Sequence, residues 1–81
     1  KIYITLKEGV LDSQGNATLK SLHSLEFKNV KEVNFGKLII VKLDAENEEK
    51  AKKEIEEMCE KLLYNPAIEK YTYEVFKEES I

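Results

Sequence analysis

The sequence predicts an α+β domain of the ferredoxin-like type, a βαββαβ sandwich whose four-stranded antiparallel sheet carries two helices on one face. Three observations lead to this fold class. Apolar residues alternate in two-residue steps near both ends of the chain, a β-prone stretch broken by one glycine fills the middle, and a long stretch with helical spacing follows it. With 81 residues, the chain has room for one domain, near the lower limit for a single apolar core.

The first strand and first helix are marked by a change of period. Ile2, Ile4 and Leu6 alternate with polar or amphipathic residues, which predicts a half-buried strand that ends at Gly9. Asp12 is a suitable N-cap, with Asn16 as an alternative. Leucines at roughly helical spacing then predict a helix over about residues 13–25.

Residues 30–44 predict two strands joined by a tight turn at Phe35-Gly36-Lys37. After the turn, alternation places Leu38 and Ile40 on one face of the sheet. The other face receives Ile39, Val41 and Leu43.

Residues 46–63 carry the strongest helical pattern, and Asn65-Pro66 ends it. Glu–Lys pairs four residues apart support the exposed side of this helix. The apolar stripe expected to face the sheet consists of Ala51, Ile55, Met58 and Leu62. Alternation over residues 68–76 predicts the last strand.

Composition disfavours several functional classes. The formal net charge is −3, which disfavours nucleic acid and anionic membranes as partners. Every basic residue is a lysine, so the guanidinium fork that usually holds phosphate is missing. His23 and Cys59 are the only histidine and cysteine; no metal-ligand spacing, phosphate loop or catalytic pair surrounds them. We therefore expect no catalytic residue and no metal site.

The predicted topology brings three loops to one end of the sheet. These are the loop after the first strand, the turn at residues 35–37 and the segment before the last strand. Such residues are also ordinary turn formers, so local chemistry leaves both interpretations open. Gly15 favours a functional one, because glycine in a first helical turn suits close backbone approach. The predicted docking residues are Asp12, Gln14, Gly15, Gly36, Lys37, Asn65 and Pro66.

The sheet face without helices is expected to keep apolar residues. Tyr3, Leu38 and Ile40 point to this face, together with an aromatic residue of the last strand. A domain of this size has nothing left to cover them, so we expect a second copy to do so in a symmetric homo-oligomer.

These residues resemble those of the PurS family, the small subunits of multi-subunit formylglycinamide ribonucleotide amidotransferase, also called phosphoribosylformylglycinamidine synthase. The resemblance spans the chain as one PurS-like domain, residues 1–81. It is carried by the segments at 9–15, at Gly36-Lys37 and at 58–71, where C-E-K-L-L, N-P and I-E-x-Y occur together. Ser13, Asn34 and Tyr64 depart from the family pattern, in which proline, arginine and a small residue are usual.

The resemblance implies a non-catalytic subunit of a purine-biosynthetic ligase. A glutaminase subunit would release ammonia, and a synthetase subunit would use ATP and Mg to install the nitrogen. The small subunit would bridge the two as a dimer and assist ammonia transfer in the cytoplasm, with no cofactor of its own. The absence of a charged leader or long apolar run fits this location.

Two other classes share this order of elements. An ACT-like regulatory domain would bind a small molecule near Gly9 and Asp12. An acylphosphatase-like enzyme is disfavoured by the lack of arginine.

Overall fold

The computed structural model describes residues 1–77 and shows a three-stranded antiparallel sheet with one helix packed on it. The strands lie in the order β2-β1-β3. In chain order the elements are β1 (Ile2–Leu6), α1 (Ser13–Ser24), β2 (Gly36–Ile39), α2 (Glu48–Met58, extended by a π-helical turn over Cys59–Leu63) and β3 (Glu69–Tyr73). The α+β class is confirmed.

The predicted strand before Gly36 and the hairpin turn at residues 35–37 are wrong. Residues 31–35 form no strand, and the chain continues directly into β2. Gly36 serves a different purpose, because a Cβ there would lie 2.7 Å from the Ile4 carbonyl oxygen of the neighbouring strand. The glycine allows close strand pairing and does not make a turn.

The core lies between α2 and one face of the sheet. Ile2 and Ile4 of β1 are almost fully buried against Ile55 and Cys59 of α2. Half-buried residues extend this core: Ile39, Val41, Leu43, Leu63, Tyr71 and Tyr73. The first three are those that the alternation of residues 39–43 predicted for one face of the sheet. Burial of about 25 cal/mol per Å² makes this contact the main source of stability.

The π-helical turn changes which residues of α2 face the sheet. Ala51 and Ile55 are buried as predicted, but Leu62 is 82% exposed and Cys59 is completely buried. Tyr64 donates its amide hydrogen to the Cys59 carbonyl, five residues back, at 3.3 Å. The wider turn keeps residues four apart on the core side, so the stripe predicted from a 3.6-residue period is wrong at its end.

The first helix does not cover the sheet, contrary to the prediction of two helices on one face. Asp12 caps α1 as predicted, but within residues 1–77 no α1 residue belongs to the core between α2 and the sheet, and α1 contacts the segment that follows it at Val30 and Val33. His23 Nε2 lies 2.8 Å from the Val30 carbonyl oxygen. We call α1 and the returning segment, residues 13–35, the arm. Leu25 and Phe27 on the arm are more than half exposed.

Candidate docking end of the sheet

The three loops meet at the end of the sheet where β1 finishes and both β2 and β3 begin. Thr5 is opposite Gly36, and Leu6 is opposite Glu69. The Lys7 amide donates to the Ile68 carbonyl at 2.8 Å, and Lys7 Nζ donates to the Pro66 carbonyl. Loops far apart in sequence are thus tied together by their own chain.

Asp12 joins the first loop to the entrance of β2. Its Oδ1 accepts from the Gly15 amide and its Oδ2 accepts from the Phe35 amide, both at 2.8 Å. The pKa of Asp12 is lowered, first by the bond from Phe35 and then by the bond from Gly15, because both donors favour the ionised carboxylate. Asp12 therefore fixes the start of α1 beside β2, which directs the helix along the returning segment and away from the sheet.

Gly15 is buried. The backbone that approaches it closely, as predicted, belongs to the same chain and not to a partner. A Cβ at this position would overlap the Val33 carbonyl oxygen. The neighbouring Gln14 is exposed. Gly15 thus holds the arm together, and the adjacent glutamine is the accessible group.

Lys37 and Glu69 form an ion pair across β1. The distance from Lys37 Nζ to Glu69 Oε2 is 3.6 Å, and the lysine side chain is 68% exposed. The Glu69 side chain is only 13% exposed, so the accessible member of the pair is Lys37, whose ammonium group can also reach an acid of another chain.

Asn65-Pro66 forms a structured turn in front of β3. Asn65 Oδ1 accepts from the Ala67 amide at 3.1 Å, and the Asn65 amide donates to Glu69 Oε1 at 2.7 Å. Glu69 therefore orders both this turn and Lys37. Sequence reasoning missed it and Lys7, although Glu69 stands within the I-E-x-Y segment.

An open cleft of about 410 Å³ lies between the first loop and the end of the arm. Its wall has charges of both signs, including Lys7, Glu8, Glu32 and Lys70. One departure from the family pattern, Asn34, also lines it. The mixed charges indicate no preference for a single ion.

On the sheet face opposite α2, the part formed by β2 is apolar and the part formed by β3 is polar. Leu38 and Ile40 are 53% and 64% exposed, and Tyr3 beside them is half-buried. The aromatic residue expected from the last strand is not on this face, because Tyr71 and Tyr73 lie opposite Ile4 and Ile2 and pack on the core side. Strand β3 instead places Lys70 and Thr72 there. The apolar surface therefore follows β2.

The other side chains with shifted pKa values lie where α2 and its π-helical turn pack on the sheet: Cys59, Tyr64, Tyr71 and Tyr73. Burial raises the pKa of the Cys59 thiol, and the charges of Glu60 and Glu56 raise it further. Tyr64 packs edge-on against Tyr71 with ring centroids 4.7 Å apart. A buried thiol with a raised pKa is a poor nucleophile, so Cys59 acts as a core residue.

Within residues 1–77, no helix combines the length and apolarity needed to cross a bilayer. Over the same range, no cluster of three or more His, Cys, Asp or Glu side chains has an arrangement suited to a metal ion.

Comparison with known proteins places the chain in a family. The model of "PurS: Phosphoribosylformylglycinamidine (FGAM) synthase" matches residues 1–77. The synthase subunit PurS of Archaeoglobus fulgidus is 54% identical over 71 residues, which are 88% of this chain and 89% of that protein. The crystal structure of Methanocaldococcus jannaschii PurS, one of the subunits of formylglycinamide ribonucleotide amidotransferase, is 49% identical. It superposes with a TM-score of 0.88 over 96% of this chain and 94% of that one. The chain therefore belongs to the PurS family, whose members are subunits of phosphoribosylformylglycinamidine synthase in purine biosynthesis.

Proposed function

We propose that this chain is the non-catalytic small subunit that bridges the glutaminase and the ATP-dependent synthetase of phosphoribosylformylglycinamidine synthase and assists ammonia transfer between them. The observation that carries the proposal is the joining of three exposed loops at one end of the sheet in a PurS family member. ATP, Mg and glutamine would be bound by the partner subunits, and this chain would hold no cofactor.

The docking residues fall into two roles. The carboxylate of Asp12 is already engaged by the Gly15 and Phe35 amides, and Gly15 itself is buried. These two residues organise the end, as does Gly36 by letting β1 and β2 approach closely.

The accessible residues of the same end would make the contacts. Gln14, Asn65 and Pro66 are exposed. The side chain of Lys37 is 68% exposed and forms a 3.6 Å ion pair with the less accessible Glu69. We assign Lys37 to an acidic residue of a partner subunit. Gln14 and the Asn65-Pro66 turn would supply polar and rigid contacts around it.

A bridging subunit suits the chemistry of ammonia. The reactive form is small and uncharged, and water protonates it or dilutes it. A subunit that holds two active centres in sealed contact reduces this loss without any catalytic residue. Self-association through the surface of Tyr3, Leu38 and Ile40 would present two docking ends to the partners.

The test is charge reversal at Lys37. We expect Lys37→Glu to weaken assembly with the glutaminase and the synthetase by about tenfold or more, because like charges opposed at an interface cost several kcal/mol. The matched control is Lys52→Glu, since Lys52 also forms only an exposed ion pair but lies on α2. Assembly is measured by size-exclusion chromatography of the three subunits with glutamine and ADP.

Activity provides the second measurement. Lys37→Glu is expected to reduce glutamine-dependent synthesis and to leave synthesis from added ammonia unchanged, because the chemistry of the synthetase is intact. Unchanged assembly and unchanged glutamine-dependent synthesis would show that this end of the sheet is not the docking site.

A further inference from the structure

Glu69, the first residue of β3, divides its carboxylate between two parts of the docking end. Its Oε1 accepts from the Asn65 amide at 2.7 Å, and its Oε2 lies 3.6 Å from Lys37 Nζ. The Glu69 side chain is 13% exposed, whereas the Lys37 side chain is 68% exposed. Glu69 is therefore poorly placed to meet a partner itself, but it contacts two of the groups that would do so.

The ion pair with Lys37 spans the central strand. Lys37 on β2 is opposite Ile4, and Glu69 on β3 is opposite Leu6, so β1 lies between the two residues. The two outer strands of such a sheet are about 9–10 Å apart. The two side chains therefore reach toward each other across β1, and this contact fixes the direction in which the Lys37 ammonium group points.

The bond to Asn65 has support that does not depend on charge. The Asn65 amide donates to the Glu69 side chain, and the Glu69 amide donates back to the Asn65 carbonyl at 2.8 Å. The Lys7 amide also bonds to this turn, at the Ile68 carbonyl. A glutamine at position 69 would keep an acceptor for the Asn65 amide and would lose the ion pair. The two contacts of Glu69 can thus be separated by one substitution.

A restrained lysine is a better docking group than a free one. Ordering a long, flexible side chain at an interface weakens binding by about two- to tenfold. Glu69 restrains Lys37 before any partner arrives, so this loss is smaller on docking. An ammonium group has three donors, which allows Lys37 to keep its contact with Glu69 while it donates to an acid of a partner.

We propose that Glu69 is a positioning residue for docking, whose negative charge holds Lys37 in the orientation that an acidic residue of a partner subunit meets. The inference rests on the proposed function, in which Lys37 contacts such an acid, and adds the residue that prepares Lys37 for it. Glu69 acts through Lys37 and contacts no partner directly.

The first experiment is a double-mutant cycle on assembly with the glutaminase and the synthetase in the presence of glutamine and ADP. Glu69→Gln, Lys37→Met and the double variant are compared by titration of fluorescently labelled chain. We expect Glu69→Gln to weaken assembly by about two- to tenfold alone and to have no further effect in the Lys37→Met background. The matched control is Glu48→Gln, which removes the acid of an exposed ion pair on α2 and should leave assembly unchanged.

The cycle distinguishes positioning from a purely structural role. A structural role of Glu69 in the turn would weaken assembly equally in both backgrounds, and that result would overturn the inference. Unchanged or tighter assembly of Glu69→Gln alone would also overturn it.

The second experiment needs no partner. Side-chain NMR relaxation of the isolated chain compares Lys37 with Lys52, whose ion pair lies on α2 and is exposed on both sides. We expect Lys37 to be the less mobile of the two and to become as mobile as Lys52 in Glu69→Gln. Equal mobility of Lys37 in the wild-type chain and in Glu69→Gln would show that Glu69 does not position it.

The outcomes separate this inference from the proposed function. If Lys37→Met weakens assembly and Glu69→Gln does not, positioning by Glu69 is overturned and docking through Lys37 stands. If neither substitution changes assembly, docking through Lys37 is overturned, and the role of Glu69 in docking with it.

Discussion

At the scale of single residues, Asp12 shows what local sequence predicts and what it misses. An aspartate before a helical pattern is a recognisable N-cap, and the bond from the Gly15 amide follows from that. The bond from the Phe35 amide joins residues 23 apart in sequence, and no local pattern encodes it. The same limit applies to Gly15. The sequence predicted that another backbone approaches it closely, but it did not identify the approaching group, which is the Val33 carbonyl.

Acid should release both bonds of Asp12 together. Its pKa lies below the ordinary value because the Phe35 and Gly15 amides stabilise the ionised form. The stabilisation is therefore complete above the pKa of an unfolded aspartate, about 3.9, and is lost as the pH falls through the lowered value. We expect the two amide proton shifts to titrate with one midpoint below about 3.9 in NMR spectra. Asp12→Asn is the control and should abolish the titration; two separate midpoints would contradict a shared cause.

Tyr73 gives a second prediction at this scale. Its hydroxyl donates to Glu56 Oε1 at 2.7 Å, and this bond, followed by desolvation, raises the pKa of Tyr73 to about 12. The stabilisation should be complete below the pKa of an unfolded tyrosine, about 10, and be lost as the pH rises through the raised value. We expect Glu56→Gln to return the Tyr73 midpoint toward about 10, because the carboxylate acceptor is gone.

Absorbance at 295 nm measures this midpoint, as the difference between chains with Tyr73 and with Tyr73→Phe. The control is Glu60→Gln, which removes a negative charge that acts on the neighbouring Tyr71 but leaves the bond between Tyr73 and Glu56 in place. The control should keep the raised midpoint. An unmoved midpoint in Glu56→Gln would exclude the bond as the cause.

At the scale of elements, the sequence predicted where most helices and strands lie along the chain better than it predicted which of their side chains face the core. The long helix was predicted over residues 46–63 with its stop at Asn65-Pro66, but its N-cap, Asn47, was not predicted and its last turn departs from the α-helical period. The amide of Tyr64 bonds five residues back to Cys59, which places Cys59 in the core and Leu62 in solvent. A π-helical turn is decided by packing against the sheet, so a periodic pattern does not reveal it.

A pair of substitutions on α2 tests this registration. Ile55→Ala removes a side chain that is 4% exposed and should lower the free energy of unfolding by about 2–5 kcal/mol. Leu62→Ala removes one that is 82% exposed and should change it by less than about 0.5 kcal/mol. Urea denaturation followed by circular dichroism measures both. Similar losses for the two variants would mean that Leu62 belongs to the core, as an unbroken α-helix would require.

At the scale of the whole molecule, the prediction failed in the arm and at the start of β2. The α+β class and the meeting of the loops follow from alternation and connectivity. Within residues 1–77 the fourth strand does not form, although Val33 and Phe35 alternate there. The first helix forms, but none of its residues belongs to the core of the sheet. Residues 31–34 lack a neighbouring strand within the described chain. Sequence patterns record that a segment is suited to pairing, but they do not state whether the partner belongs to the same chain.

The arm should consequently be the least stable part of the folded molecule. A helix of 12 residues is marginal in water by itself. Within the described chain, α1 (12 residues) contributes no residue to the core, whereas α2 (11 residues) covers the buried face of the sheet. Local opening then frees the amides of α1 without disturbing the core.

Hydrogen exchange of the purified chain, measured by mass spectrometry, tests this difference. We expect protection in residues 13–24 to be at least about tenfold lower than in residues 48–58, because opening of the arm costs less free energy than opening of the core. Equal protection of the two helices would contradict the prediction, because it would mean that the arm is as firmly supported as the core.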